Sequence, residues 1–158
     1  RDLLGDDLPP DELNRIERNN FYGWPFVYGS GVPDPDFGAG HAAESARAVA
    51  PMHAFRAHHA PLGLAFLRGP NLPPGYSRTA LVALHGSWNR SRPDGYKVVA
   101  LGWQPGGRIV ERDFLTGFLG DAGVLGRPAG IAQGPDGAIF ITDDYAGVIY
   151  RVVPATGS

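Results

Sequence analysis

The sequence has 158 residues, and its 23 glycines and 15 prolines fill about a quarter of them, roughly twice the ordinary share of about 12%. Both residues penalise helix interiors, which excludes a mainly helical domain, whereas 43% hydrophobic and 11% aromatic residues suffice for a core and exclude a disordered chain. Fourteen basic against sixteen acidic side chains argue against nucleic acid or an anionic membrane as a partner. The absence of cysteine removes disulfides, thiolate metal sites and thiol nucleophiles.

Residues 1–20 are polar and acid-rich, with one short helical turn expected from Pro10 through Arg18, opened by a proline at a helix-start position. An aromatic cluster cut by Gly and Pro follows, Phe21-Tyr22-Gly23-Trp24-Pro25-Phe26-Val27-Tyr28. Residues 30–50 read as a long loop. No apolar run approaches the ~20 residues of a membrane span.

From Pro61 the pattern becomes regular. Pro61-Leu62-Gly63-Leu64-Ala65-Phe66 is echoed by Pro128-Ala129-Gly130-Ile131-Ala132, and Ala80–His85 by Ala138–Asp143. Gly95–Ala100 is echoed in turn by Gly147–Val152, and the first unit adds a fourth run, Arg108–Arg112. Short alternating runs separated by turn residues are strands. A repeated four-stranded antiparallel unit is the signature of a propeller blade.

The expected fold is therefore all-β, a partial β-propeller with about two to three four-stranded antiparallel blades. Residues 1–60 form a loop-rich partial blade, 61–127 one blade, and 128–158 a final incomplete blade that stops after its third strand. A closed propeller needs at least four blades, so the rest of the propeller, or a second chain, is an expected partner.

In such a blade the turn after strand two and the connection after strand four emerge at one end. That end collects His85–Asp94, Leu115–Arg127 and Asp143–Ala146. His85-Gly86-Ser87-Trp88-Asn89-Arg90-Ser91-Arg92 packs an imidazole, an indole and two guanidinium groups into eight residues. The turns at the other end, such as Leu72-Pro73-Pro74-Gly75 and Gly134-Pro135-Asp136-Gly137, carry little chemistry. Arg pairs can hold a carboxylate-bearing ligand bidentately, and Arg127 stands directly before a Pro-x-Gly strand start. Asp143-Asp144 reads first as a turn device, and His58-His59 lacks the further ligands a metal site requires.

Leu4-Gly5-Asp6-Asp7-Leu8-Pro9-Pro10-Asp11, Phe21-Tyr22-Gly23-Trp24-Pro25, Ala60–Phe66, His85–Arg90, Gly95–Val99, Asp113–Phe118 and Gly126–Ile131 occur in this order. Together they resemble the C-terminal half of the glucose/sorbosone dehydrogenases, in the L-sorbosone dehydrogenase branch. The resemblance implies a six-bladed propeller carrying pyrroloquinoline quinone (PQQ) and Ca²⁺. It also implies oxidation of an aldose or sugar aldehyde by hydride transfer to PQQ, a separate electron acceptor, and a periplasmic or secreted location.

By the same resemblance Arg127, His85 and Arg90 are the expected cofactor-binding residues, and Asp2 and Leu3 lie nearest the Ca²⁺ loop as backbone ligands. No catalytic residue is assigned here, because the family's general-base His lies in earlier blades. Where the glucose-oxidising branch has a cofactor-binding Lys this chain has His85, and Ala129 replaces the second Arg of an Arg-x-Arg. These departures keep a second reading open, a non-catalytic propeller that binds a ligand or protein with the same loop face.

Overall fold

The computed structural model describes residues 4–70 and 72–154; Asp2 and Leu3, the expected Ca²⁺ ligands, lie outside the described residues. Two compact units result. One runs up to His58 and includes Asn89–Ser91; the other comprises His59–Trp88 and everything from Arg92 onward.

The first unit contains β1 (Asp11–Leu13), β2 (Val27–Tyr28), β3 (Val32–Pro33), the one-turn α1 (Ala42–Ser45) and β4 (His53–Phe55). The helical turn expected over Pro10–Arg18 is corrected: Asp11–Leu13 is extended and pairs antiparallel with His53–Phe55. Glu12 explains the outcome. Its Oε1 accepts the Gly29 N–H at 2.7 Å and its Oε2 accepts Asn14 Nδ2 at 2.9 Å. A single isolated helical turn forms too few backbone bonds to compete with that pairing.

The 30–50 segment is largely irregular, as its composition implies, but it is firmly tied. Buried Asp34 accepts the N–H groups of Asp36 and Phe37 at 2.9 and 3.0 Å. Its backbone N–H donates to the Phe26 carbonyl at 2.8 Å. Gly38 sits where a Cβ would come within 2.7 Å of the Asp34 carbonyl and 2.8 Å of the Phe26 carbonyl, so no larger residue fits. His41 stacks on Phe26 with ring centroids 3.8 Å apart.

The second unit is built from sheets. β5 (Pro61–Phe66), β6 (Thr79–Leu84), β7 (Lys97–Trp103) and β8 (Ile109–Leu115) form a four-stranded antiparallel meander. After a small hairpin of β9 (Leu119–Gly120) and β10 (Gly123–Val124), β11 (Pro128–Gln133), β12 (Ile139–Asp143) and β13 (Val148–Val152) form a three-stranded one. The echoed sequence runs thus become echoed strands, and the second sheet ends after three. All six residues of β6 are buried, as befits an interior strand that is covered on both faces.

The two sheets meet through Leu81, Val98 and Ala100 of the first and Ile139 and Ile141 of the second, with Ile131, Tyr150 and Val152 packed around them. Leu81, Val98, Ile139 and Ile141 each contribute about 1.5–3 kcal/mol on full burial. The Pro-x-Gly echo has a direct physical cause. A register shift separates Pro61 from Leu64, and another separates Pro128 from Ile131. At the first of these, a Cβ on Gly63 would lie 2.6 Å from the Ala129 carbonyl and 2.9 Å from the Ile131 nitrogen. The first strands of the two sheets touch backbone to backbone, and glycine permits it.

Candidate functional site

Within the second unit the loop after β6, the segment leading into β11 and the turn after β12 come together at one end. Asp143 organises them. Its side chain is buried, and Oδ1 accepts the N–H groups of Arg127 at 2.9 Å, Tyr145 at 3.0 Å and Ala146 at 2.8 Å. Oδ2 accepts the Tyr150 hydroxyl at 3.2 Å. Burial pushes this carboxyl up, but the backbone donors Ala146 and Arg127, then Tyr150 and Tyr145, outweigh it and hold its pKa below the ordinary value. The Tyr150 phenol is pushed up in return, by desolvation first and the Asp143 hydrogen bond second.

Gly126 makes this arrangement possible, since a Cβ there would fall 2.1 Å from Asp143 Oδ2. The chain therefore passes directly over the carboxylate and delivers Arg127. The Arg127 Nε donates to the His85 carbonyl at 3.1 Å and Nη2 donates to the Gly86 carbonyl at 2.7 Å. Its guanidinium carbon lies 5.5 Å from the centre of the Tyr96 ring, a cation–π distance.

Tyr96 and Gly86 form a second tight joint. Gly86 has φ +97, and a Cβ there would collide with the Tyr96 ring at 2.5 Å. The Tyr96 hydroxyl donates to the Ser87 carbonyl. Beneath this loop, buried His59 holds its Nε2 3.1 Å from Asp94 Oδ2, and its carbonyl accepts the Gly86 N–H at 2.9 Å.

His85 stands at the edge of the same cluster. Its Nε2 lies 2.8 Å from Asp144 Oδ1, with 18% of the histidine side chain and 62% of the aspartate side chain exposed. Trp88 and Tyr145, exposed at 64% and 61%, belong to the loops that carry this end.

Arg90 belongs to the first unit and is engaged differently. Its side chain is 7% exposed; Nη2 meets Asp7 Oδ1 at 3.1 Å, while Nη1 donates to the carbonyls of Asp6 and, at 3.3 Å, of Ala57. The neighbouring Ser91 N–H donates to Asp6 Oδ1 at 3.0 Å. That bond, followed by one from the Ser91 side chain, holds the Asp6 carboxyl below its usual range. Asn89 Nδ2 reaches His58 Nδ1 at 3.2 Å, and His58 Nε2 reaches the Gly5 carbonyl at 2.8 Å. Arg90 thus braces the 5–7 loop.

Of the residues singled out in the sequence, His85 and Arg127 are brought into one cluster. Asp143 is the turn device its position suggested and also a hub. Tyr96 and Asp144 were not singled out as site residues. Asp144 is 59 positions from His85, and the available signal was the strand echo, which aligns the loop after β6 with the turn after β12. Among the described residues no three His, Asp or Glu side chains converge at metal-ligating distance, and no helix is long and apolar enough to cross a membrane.

Antiparallel meanders stacked through their first strands, with donors and charge gathered at one loop end, define a protein of the propeller type. The chain belongs to the TrAA12-like family, whose model matches residues 39–155. An uncharacterized protein of Borreliella burgdorferi is 40% identical over 156 residues, covering 96% of this chain and 41% of the relative. The calcium structure of the Trichoderma reesei carbohydrate-active enzyme of family AA12 superposes with a TM-score of 0.72 at 25% identity, over 92% of this chain and 43% of that one.

The pyrroloquinoline quinone-dependent pyranose dehydrogenase of Coprinopsis cinerea is 31% identical over 135 residues, 72% of this chain and 18% of the relative. The holo form of the pyranose dehydrogenase PQQ domain from that organism superposes with a TM-score of 0.61 at 27% identity, over 84% of this chain and 40% of that domain. The resemblance read from the motifs therefore holds at the level of PQQ-dependent sugar dehydrogenases. The chain spans less than half the length of each of these relatives.

Proposed function

We propose that this chain contributes the Arg127–His85 end of a PQQ-dependent sugar oxidoreductase, as part of a six-bladed propeller completed by further blades. The observation that carries the reading is the Arg127 cluster. Two of its guanidinium nitrogens are fixed on the His85 and Gly86 carbonyls, which orients the remaining one as a rigid donor. PQQ bears carboxylates, and a guanidinium held in this way matches a carboxylate ligand without further ordering.

The donor set fits such a group. Arg127 supplies fixed positive charge, His85 supplies an imidazole steadied by Asp144, and the exposed Trp88 and Tyr145 rings offer flat apolar surface to a planar ligand. When bound, PQQ supplies the hydride-accepting centre for the oxidation. The residues of this chain bind and orient it: Arg127 and His85 face its carboxylates, Asp143 fixes the Arg127 backbone, and Tyr96 supports the guanidinium from its ring face. Arg90 acts one step removed, by holding the 5–7 loop.

The substrate in this reading is an aldose or a sorbosone-like sugar aldehyde, the general base comes from blades outside this chain, and the protein works in the periplasm or outside the cell. Ca²⁺ assistance belongs to the same reading. Among the described residues no cluster of carboxylates converges on one point, which leaves backbone carbonyls as the ion's ligands in this reading. The test is dye-linked oxidation of aldoses and sugar aldehydes by the purified full-length protein, with and without added PQQ and Ca²⁺. PQQ-dependent turnover is expected; no turnover together with no change in the PQQ absorbance on mixing contradicts the proposal.

A further inference from the structure

We propose that Asp144 and His85 form a proton-coupled grip for a ligand carboxylate, Asp144 being a positioning residue that fixes the imidazole by Nε2 and leaves Nδ1 to meet the ligand. The inference rests on the functional reading above and deepens it. The contact of 2.8 Å between His85 Nε2 and Asp144 Oδ1 selects the tautomer in which Nε2 carries the hydrogen and donates it to the carboxylate. Nδ1 then carries a lone pair and makes no hydrogen bond with any described residue. A neutral imidazole in this state repels a carboxylate oxygen, lone pair against lone pair. Protonated at Nδ1 it becomes a charge-assisted donor, held in place by the Asp144 contact at Nε2.

Balance requires that binding take one proton from solvent: neutral His85, a ligand carboxylate and H⁺ give the imidazolium–carboxylate pair. Of the other charged groups of this unit around the loop, Arg92 is exposed on the loop itself, and those packed beneath it face one another. Arg127 holds the His85 and Gly86 carbonyls, Asp143 holds the Arg127 N–H, His59 faces Asp94, and Lys97 meets Asp113 at 2.7 Å. Tyr96 donates its hydroxyl to Ser87. His59 also has a ring nitrogen, Nδ1, without a hydrogen-bond partner among the described residues, but that side chain is buried, whereas the His85 side chain is partly exposed and open to a ligand.

Arg127 carries its charge at all working pH values, and its guanidinium is bonded to the carbonyl of His85 itself. A permanent donor from the segment before β11 and an imidazole from the loop after β6 therefore meet at one place, and a polycarboxylate bound there meets one of each. The affinity of such a site falls as pH rises through the imidazole's titration, while a site built on two permanent cations shows no such fall.

The experiment is calorimetric titration of the full-length protein with PQQ, in buffers of different ionisation enthalpy, from about pH 6 to about pH 9. Proton uptake per PQQ bound should pass through a maximum within this range and fall away on either side, because uptake requires an imidazole that is neutral before binding and charged after it. His85→Lys should bind PQQ with this uptake abolished, and Asp144→Asn should weaken binding about 3–10-fold at the alkaline end while leaving the acid end nearly unchanged. A merely structural Asp144 would not move the proton count. Binding without uptake at any pH, or uptake that persists in His85→Lys, overturns the grip and leaves the functional reading standing. No PQQ binding at any pH overturns both.

Discussion

The two units of this chain are held together by different means. In the unit from His59 onward, backbone ladders do the work: four strands and then three, with Leu81, Val98, Ala100, Ile139 and Ile141 buried where the sheets meet. In the unit up to His58, strands are two or three residues long, and side chains clamp loops instead, Asp34 on Asp36 and Phe37, Glu12 on Gly29, Arg90 on Asp6 and Asp7. The difference teaches where single substitutions act. A ladder unit fails at points of backbone contact or core volume. A clamped-loop unit fails locally, one side chain at a time.

The largest effect is expected at Gly63. Replacement by Val places atoms against the Ala129 carbonyl and the Ile131 nitrogen, at 2.6 and 2.9 Å from the first carbon alone, and neither backbone group has room to yield. A loss of about 3 kcal/mol or more of unfolding free energy is expected, read from denaturant unfolding of the full-length protein. Gly102→Ala is the matched control, because its Cβ would meet nothing closer than 3.6 Å; a change within about 1 kcal/mol is expected. Equal effects at the two positions would contradict the account of the Pro-x-Gly echo.

Asp143→Asn comes next, at about 2–3 kcal/mol, since a carboxylate serving three backbone donors and a phenol is replaced by a neutral amide. The pH dependence sharpens it. Asp143 titrates lower in the folded state than in the unfolded one. It therefore contributes stability above the unfolded value of about 3.9, and that contribution disappears as pH falls through the lower folded value. The variant should lose this part of the acid sensitivity; an unchanged acid limb in equilibrium unfolding would remove Asp143 from the hub.

In the clamped-loop unit, Arg90→Lys should raise hydrogen exchange in the 5–7 loop by about tenfold, because one ammonium cannot replace a fork that reaches two carbonyls and a carboxylate. Exchange in β6 and β7 should stay unchanged. Loosening that spreads to those strands would contradict the division of labour. The smallest effect is expected at Arg151→Ala, which removes an exposed pair with Asp136; the melting midpoint should not move outside experimental error.

The same contrast explains how much was legible in the sequence. Alternating apolar runs and Pro-Asp-Gly or Pro-Gly-Gly turns revealed the β5–β8 and β11–β13 strands, because a half-buried ladder imposes a period of two and its turns demand positive φ. The β1 strand was not legible. Asp11–Leu13 is three residues long, and what makes it extended is Glu12 bonding to Gly29, seventeen positions away. The α1 turn and the β2–β3 and β9–β10 pairs are too short to leave a period.

At the site, His85 and Arg127 were visible because the strand echo placed their loops at one end. Tyr96 was hidden because its role depends on Gly86 having no side chain, and Asp144 because an Asp-Asp pair at a strand end looks the same whether it caps a turn or grips a histidine. Arg90 looked like a ligand donor by residue type, and its burial against the 5–7 loop arises from contacts no local pattern encodes.

The role proposed for Arg127, fixed on the His85 and Gly86 carbonyls, is to hold an anionic quinone at this end of the molecule. Its most direct test is the affinity of the full-length protein for PQQ, measured by titration for the wild type and for Arg127→Ala, alongside thermal melts of both. Loss of one charge-assisted, pre-oriented donor should weaken binding by about 10–100-fold, with the protein still folded and the β5–β8 sheet intact. Undiminished PQQ affinity in the folded variant would contradict the account.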